Sequence, residues 1–505
     1  MITLPDMKEN PLINDFFNLL DPIKGKERIL NKISQFEARP DYLSDWYSFS
    51  KIGNDVYPSQ GLITTPYDYL SYSSLHMLPQ ETMIEALRVR FFFLELFNHP
   101  IRIKALEEVE NIKFSPPPKV SIPPLENAIK QGLSLSIGDL GASVVGSEKN
   151  RISRRRMLSD GPFIKLGKHA RSLFVGSSSP DVWNSAASIA TLAASHSLAV
   201  IPRNGITNEV KRQSDLAKEV FLWIDKISDQ ILVGRPDKKK VTSYWKRNVV
   251  GTLEASKNKA LIRADALFKS GVRAFRIYSP EPGKEANETT AILRNKYGND
   301  IEIFTSFVIN VKQASDAQKE GADGVYIGIG GGGRCITGVR GGLAIDWPTL
   351  LYQLRGEIDI PVIVDGGASD HIALTLLLGA SGISVSRSVS GGTIESPGGV
   401  LFFTDSEGNL YKPYGGEASP RTKYLDGKLL PFDIASFVEG GTTRAYVLQG
   451  EHKYPTLTNN LHLLNEDAIL SMVFRGVNNI YELHKLDPCP INRITSSGDF
   501  QRNLH

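Results

Sequence analysis

Eight short apolar runs, separated by amphipathic stretches, constrain the fold of this chain more than any other feature. They fall at 172–176 (SLFVG), 198–201 (LAVI), 248–253 (NVVGTL), 272–278 (VRAFRIY), 301–308 (IEIFTSFV), 324–328 (GVYIG), 361–365 (PVIVD) and 382–387 (GISVSR). A short apolar run bounded by glycine, proline and polar turn residues reads as a buried strand. Helical periodicity fills most of the intervals, as at 258–270 and 311–321. Strand, helix and strand at this spacing give parallel βαβ units. Eight of them predict an α/β chain with a (β/α)8 TIM barrel, whose site lies at the carboxyl ends of the strands. An open doubly wound sheet is the alternative topology.

Upstream the pattern differs. Residues 1–114 read as a mainly helical extension of unassigned role, with a long apolar helix over 81–97 (ETMIEALRVRFFFLELF) and dense aromatics over 42–72. Prolines 116–118 and 123–124 mark a stiff connector over 115–129. The barrel is then expected over 130–490 and a tail over 491–505. The interval between the second and third strands contains a polar run at 234–240 (GRPDKKK), which reads as an exposed loop.

Composition limits the class of protein. Apolar residues make up 41% and charged residues 22%, as in ordinary globular domains. A net charge of +3 gives no reason to expect a nucleic-acid or membrane partner. Two cysteines make no disulfide scaffold and fit a reducing compartment, hence a cytoplasmic protein. Residues 1–10 lack the apolar core of a signal peptide. No uncharged apolar run reaches the roughly 18 residues that a membrane span needs.

The chemistry concentrates after the sixth run. There the chain reads Gly328-Ile329-Gly330-Gly331-Gly332-Gly333-Arg334-Cys335-Ile336-Thr337. The glycines let the backbone approach a ligand closely. Cys335 is a candidate nucleophile, and the neighbouring Arg334 favours its thiolate; the plain alternative is a small residue in a flexible turn. The seventh run ends in Asp365-Gly366-Gly367, and Arg387-Ser388 ends the eighth. Backbone amides after the last two strands of a barrel commonly bind phosphate. Arg387 can pair with the same group, while a carboxylate such as Asp365 accepts from ribose hydroxyls. Alone, Asp-Gly-Gly would be only a strand-to-loop turn.

The glycine–cysteine loop resembles that of the IMP dehydrogenase and GMP reductase family, G-I-G-P-G-S-x-C-x-T. Gly331 replaces the proline and Gly333 the serine. The segments 391–398 (GGTIESPG) and 412–419 (KPYGGEAS) resemble the family's A-G-T-x-E-x-P-G and K-x-Y-x-G-M-x-S. Leu135 to Leu140, Val200 to Asn204, Phe474-Arg475-Gly476 and Ile480 to Leu483 extend the likeness over about 130–485.

The resemblance implies an IMP dehydrogenase-like enzyme in guanine nucleotide synthesis. Cys335 would attack C2 of IMP, hydride would pass to NAD, and water would release XMP. Thr337, Lys423 and Tyr424 would assist the hydrolysis. Gly333, Tyr414 and Gly416 would join Asp365, Gly366, Gly367, Arg387 and Ser388 on the nucleotide. Glu417 stands where the family has methionine and can accept the purine N1–H, or is simply a solvated turn carboxylate. Glu439 would complete the substrate site from a flap over about 420–460. Ser279, Gly328 and Gly330 would face the dinucleotide. Carbonyls of Gly330, Gly332 and Cys335 would hold potassium, and the assembly would be a homotetramer. The interval before the third strand is too short for the paired regulatory modules some members carry there.

Departures gather on the cofactor side. Tyr278 stands where the family has a ribose-binding aspartate, Phe307 where it has an amide, and Lys423 where it has the flap arginine. GMP reductase, or a purine-nucleotide-binding barrel without turnover, are the alternative functions.

Overall fold

The computed structural model describes residues 11–37, 75–145, 151–279, 283–329, 335–342, 346–447 and 454–498. The aromatic-rich stretch 42–72 and the glycines 330–333 lie outside these. All eight expected strands form: β1 Phe174–Gly176, β2 Ala199–Ile201, β3 Val249–Glu254, β4 Ala274–Tyr278, β5 Glu302–Ser306, β6 Gly324–Ile327, β7 Val362–Val364 and β8 Gly382–Val385. All but β3 are shorter than their apolar runs, because the flanking residues turn into the loops, while β3 keeps its length one residue further on. They pair in parallel from β2 to β8, and β8 pairs with β1. Backbone bonds from Ser172 N to His196 O and from Gly176 N to Leu198 O, each 2.8 Å, join β1 to β2 and close the barrel. The open-sheet alternative is thereby excluded.

The strands are buried along nearly their whole length, so most read as apolar runs, and the polar residues of β4, β5 and β8 (Arg276, Glu302, Thr305, Ser306 and Ser384) are buried with them. The expected helices form at Lys257–Lys269 and Val311–Lys319. The polar run at 234–240 is not simply a loop. Asp237 ends it as the cap of helix Lys238–Lys246, so the lysines form the first helical turn. Arg235 anchors the bend through Asp237, with Nε–Oδ1 at 2.8 Å.

A hairpin, Phe163–Leu166 with His169–Ser172, covers the amino-terminal end of the barrel. Arg171 enters the barrel from this hairpin with no exposure. Its Nη1 donates to Glu302 Oε1 at 2.8 Å and its Nη2 to Oε2 at 2.5 Å. Its Nε reaches Asn248 Oδ1 at 2.9 Å. One guanidinium thus ties the hairpin to the starts of β3 and β5. Burial would push the Glu302 carboxyl up, but the Arg171 charge and hydrogen bond outweigh it and hold it below the ordinary range.

Upstream, helices form at Pro11–Leu20, Pro22–Glu37, Gln80–Phe97 and Pro100–Glu110. The third packs on helix Leu457–Val473, and its apolar residues share one cluster with the barrel. Buried Arg90 donates to Thr191 Oγ1 at 3.0 Å and lies 3.3 Å from Glu395. The proline-rich stretch is extended until helix Pro123–Lys130 begins. Beyond β8 come β9 Leu401–Thr404, β10 Leu410–Gly415 and β11 Thr442–Tyr446, in one antiparallel sheet with strand Leu75–Met77. Among the described residues no helix is long and apolar enough to cross a membrane.

Removing either partner of the buried pair leaves the other charge stranded. Arg171→Ala and Glu302→Ala are each expected to lower unfolding free energy by about 3–5 kcal/mol in urea titrations. The double variant Arg171→Met/Glu302→Leu should recover most of that loss. Because the Glu302 value is depressed on folding, its contribution is complete above about pH 4.5 and is lost as pH falls further. Single variants as stable as the parent would show that the pair does not hold the barrel end.

Candidate active site

A cleft of about 280 Å3 opens at the carboxyl ends of the strands. It is built from separate segments that the barrel brings together. β6 runs into Gly328, whose φ of +107° and close approach to the Asp365 carbonyl admit no side chain: a Cβ there would lie 2.3 Å from that oxygen. This packing sets the cysteine loop beside the end of β7, where Asp365 N donates to Ile327 O at 2.9 Å.

Cys335 is half-buried and faces the cleft. Its Sγ lies 3.1 Å from Thr337 Oγ1, which donates to Glu439 Oε2 at 3.0 Å. Because the threonine proton goes to the carboxylate, the hydroxyl oxygen is the acceptor for the thiol. Backbone pairing fixes the relay. Cys335 forms an antiparallel bridge with Gly440, Ile336 N donates to Glu439 O at 2.9 Å, and Glu439 N donates to Ala418 O at 3.1 Å. Arg340 adds a bond to the Val438 carbonyl.

Gly366 and Gly367 line the same cleft with Asp365, as do Arg387 and Ser388, which begin the short helix Arg387–Ser390 after β8. Both of the latter side chains are exposed to the cleft. Tyr414, on β10, meets Ser386 Oγ through its hydroxyl at 2.9 Å. Burial pushes its phenol up, so it stays a protonated donor. Below it Lys412 is buried and donates to the carbonyls of Thr393 and Gly399, each at 2.7 Å, and of Ser396 at 3.1 Å. That lysine knots the 393–399 loop to β10.

Gly416 and Glu417 also line the cleft, and Glu417 is heavily engaged. Its Oε2 accepts from Ser178 at 2.8 Å, and its Oε1 accepts from Asn204 and lies 3.2 Å from Arg203 Nη2. It therefore ties the loops after β1 and β2 to the segment leading into the flap. It is not the solvated turn carboxylate of the plain reading.

Lys423 and Tyr424 lie on helix Pro420–Leu425 and are absent from the cleft wall. Lys423 donates to the carbonyls of Ser436 and Phe437, stapling the flap. Burial lowers its pKa, but these two acceptors engage it as an ammonium donor. Ser279 is also off the wall, its backbone bonded to Ser306 O and Phe307 N at 3.0 and 3.1 Å. Gly330, Gly332 and Gly333 lie outside the described residues, so two of the three potassium carbonyls do too. Among the described residues no group of His, Cys, Asp and Glu is arranged to hold a metal.

Sequence reasoning did not single out Ser177, Ser178 and Ser179 after β1, which line the cleft. The three-serine run in GSSSP was the available signal. The aromatic wall was visible only as departures: Tyr278 and Phe307 pack edge to face, 5.3 Å between centroids. Burial, and then the Glu417 charge, push the Tyr278 phenol well above its usual value. A planar ring can lie against this wall, and Tyr278 and Phe307 themselves bring no carboxylate to it.

A larger cavity of about 1240 Å3 lies between helix Pro123–Lys130 and residues 486–493. It holds the other cysteine, Cys489, whose thiol burial pushes up to about 12, leaving it inert. Size alone therefore does not select it over the smaller cleft, where the Cys335 thiol, the carboxylates of Asp365 and Glu439, and the Gly366-Gly367 turn meet.

The sequence profile of the IMP dehydrogenase / GMP reductase domain matches residues 107–505. The inosine-5'-monophosphate dehydrogenase of Helicobacter pylori (strain J99) is 30% identical over 256 residues, 48% of this chain and 50% of that protein. The enzyme of the same name from Chlorobaculum parvum is 30% identical over 268 residues, 51% and 52% of the two chains. The Cryptosporidium parvum enzyme is 30% identical over 162 residues, 31% and 39%. The chain thus spans about half the length of the first two of these relatives. With the profile covering most of its length, and a glycine–cysteine loop at the mouth of a closed eight-stranded barrel, the chain belongs to the IMP dehydrogenase / GMP reductase family.

Proposed function

We propose that this chain binds IMP and oxidises it to XMP through a covalent adduct on Cys335, with NAD as the hydride acceptor. The observation that carries this reading is the meeting in one cleft of the Cys335–Thr337–Glu439 relay with Asp365–Gly367, Arg387-Ser388 and Tyr414.

Amides at Gly366 and Gly367, the Arg387 guanidinium and the Tyr414 hydroxyl hold the 5'-phosphate. Asp365 accepts from the ribose. With both ends of the nucleoside held, the purine C2 is presented to Cys335, and positioning of this kind lowers the barrier to addition. The thiol proton passes to Thr337, whose own proton passes to Glu439. The sulfur then bonds to C2 while the C2=N3 π pair moves onto N3, and that pair re-forms the double bond as the hydride leaves. When bound, the dinucleotide supplies the acceptor for the hydride that leaves C2. Glu439 gives that first proton up to solvent, after which the same relay takes a proton from water as it attacks C2, and that proton returns through Thr337 to the Cys335 sulfur as the C–S bond breaks. Thr337 and Glu439 carry the base function, while Lys423 holds the flap that delivers Glu439.

A second reading has support in the aromatic wall. Tyr278 and Phe307 themselves supply no carboxylate for a dinucleotide ribose, so a barrel that binds purine nucleotide without turnover fits this half of the cleft. Titration with IMP, GMP and inosine, followed by absorbance at the NADH band with IMP plus NAD, separates the two. IMP binding without NADH favours the binding protein. Binding of none of the three removes both.

Cys335→Ala is expected to abolish turnover and leave IMP affinity within about threefold, because the phosphate and ribose contacts remain. Normal turnover in that variant would refute the covalent step. Glu439→Gln should lower kcat by about 10²–10⁴ while sparing IMP binding, the usual range for loss of a positioned base; an unchanged kcat would remove Glu439 from the relay. Tyr278→Asp should tighten NAD binding by about tenfold, the worth of a regained charged acceptor. Calorimetry showing weaker NAD binding would mean that the dinucleotide does not lie against this wall.

A further inference from the structure

Arg276, in the middle of β4, is fully buried beneath the cleft. Its Nη2 donates to Asp365 Oδ2 at 2.6 Å, and its Nε to Ser306 Oγ at 3.2 Å. Its Nη1 has no acceptor among the described residues. The guanidinium lies 4.0 Å from the ring centre of Tyr326 and 5.0 Å from that of Tyr278. A buried charge with an unmet N–H is a poor device for stability, since an apolar side chain of similar volume serves a barrel core as well or better. Asp365 lines the cleft and Arg276 does not, so whatever Arg276 does to a ligand passes through Asp365.

We propose that Arg276 is a positioning residue that makes Asp365 a one-oxygen acceptor for the sugar of the bound nucleotide, an inference that rests on the reading of Asp365 as the ribose contact. A free carboxylate accepts both hydroxyls of a vicinal diol, one on each oxygen. Here one lone pair of Oδ2 is committed to the guanidinium on its buried side, and turning the carboxylate would break a charge-assisted bond, so Oδ1 is the less encumbered acceptor. Oδ1 makes no hydrogen bond within the described residues and is left for the diol. Either hydroxyl satisfies it. The site therefore separates a sugar that has at least one hydroxyl from a sugar that has none. It does not separate the 2'-hydroxyl from the 3'-hydroxyl, so 2'-deoxynucleotides belong to its ligand class.

Calorimetry of the full chain with IMP, 2'-deoxy-IMP, 3'-deoxy-IMP and 2',3'-dideoxy-IMP tests this. Both singly deoxygenated nucleotides are expected to bind within about threefold of IMP, and the dideoxy compound about tenfold or more weakly. In Arg276→Met the released carboxylate can use both oxygens, so each single deletion should now weaken binding by about fivefold or more. Arg276→Lys keeps the charge pair and should keep the parent pattern. A parent protein that already loses about tenfold with either single deletion overturns the proposal. So does a folded Arg276→Met protein with the parent pattern. If Arg276→Met fails to fold, as judged by thermal melting, the parent series and Arg276→Lys still decide. Dideoxy-IMP binding as tightly as IMP would overturn the sugar contact itself, and no IMP binding at all would overturn the proposed function beneath it.

Discussion

A parallel sheet needs both faces covered and, left open, keeps two unpaired edges; barrel closure removes the edges and is the condition on which the rest of this molecule depends. Closure here is made by backbone bonds between β1 and β2 and is reinforced at the amino-terminal end by Arg171, which spans the barrel to Glu302 and Asn248. The pair is placed where water is excluded, so its geometry must be complete. Both carboxylate oxygens and three guanidinium nitrogens find partners. At the opposite end a second buried arginine, Arg276, is only partly satisfied and touches a cleft residue. The two buried charges therefore differ in what they do. Arg171 closes the barrel, and Arg276 shapes a site.

The cleft is likewise a consequence of closure. Once the strand ends form a ring, the loops after β1, β2, β6, β7 and β8 face one another. Glu417 then ties two of these loops, those after β1 and β2, to its own segment with one carboxylate. The flap is stitched to the cysteine loop by the bridge between Cys335 and Gly440, with Lys423 holding its far side. The result is a thiol whose hydrogen-bonded partners include the Glu439 carboxylate, so the surroundings of Cys335 and the position of the 439–440 segment are coupled. On the other wall, Tyr278 and Phe307 put aromatic surface where relatives are expected to place polar groups, and the proposed function is most open to test there.

Much of this was legible in advance because it is encoded locally. Eight apolar runs, each flanked by turn residues, are a repeated signal that no single misplaced boundary can erase. The loop from Gly328 to Thr337 and the Asp365-Gly366-Gly367 turn carry their chemistry in adjacent residues. What escaped was chemistry made by residues far apart in the chain. Ser178 and Glu417, or Arg276 and Asp365, have no spacing that a reader of the chain can recognise. Lys423 shows the reverse case: its place beside Tyr424 suggested catalysis, but its ammonium group is spent on the carbonyls of Ser436 and Phe437.

The sequence by itself determined the parallel barrel, the end of it that carries the site, and the cysteine loop, since strand runs and glycine turns act within a few residues of themselves. Tertiary structure alone decided that Glu439 reaches Thr337, that Glu417 is bound by Arg203, Asn204 and Ser178, and that Arg276 holds one oxygen of Asp365. The physical reason is that charge pairing and desolvation depend on distance in space. Only closing the ring brings those partners within a few ångströms and away from water.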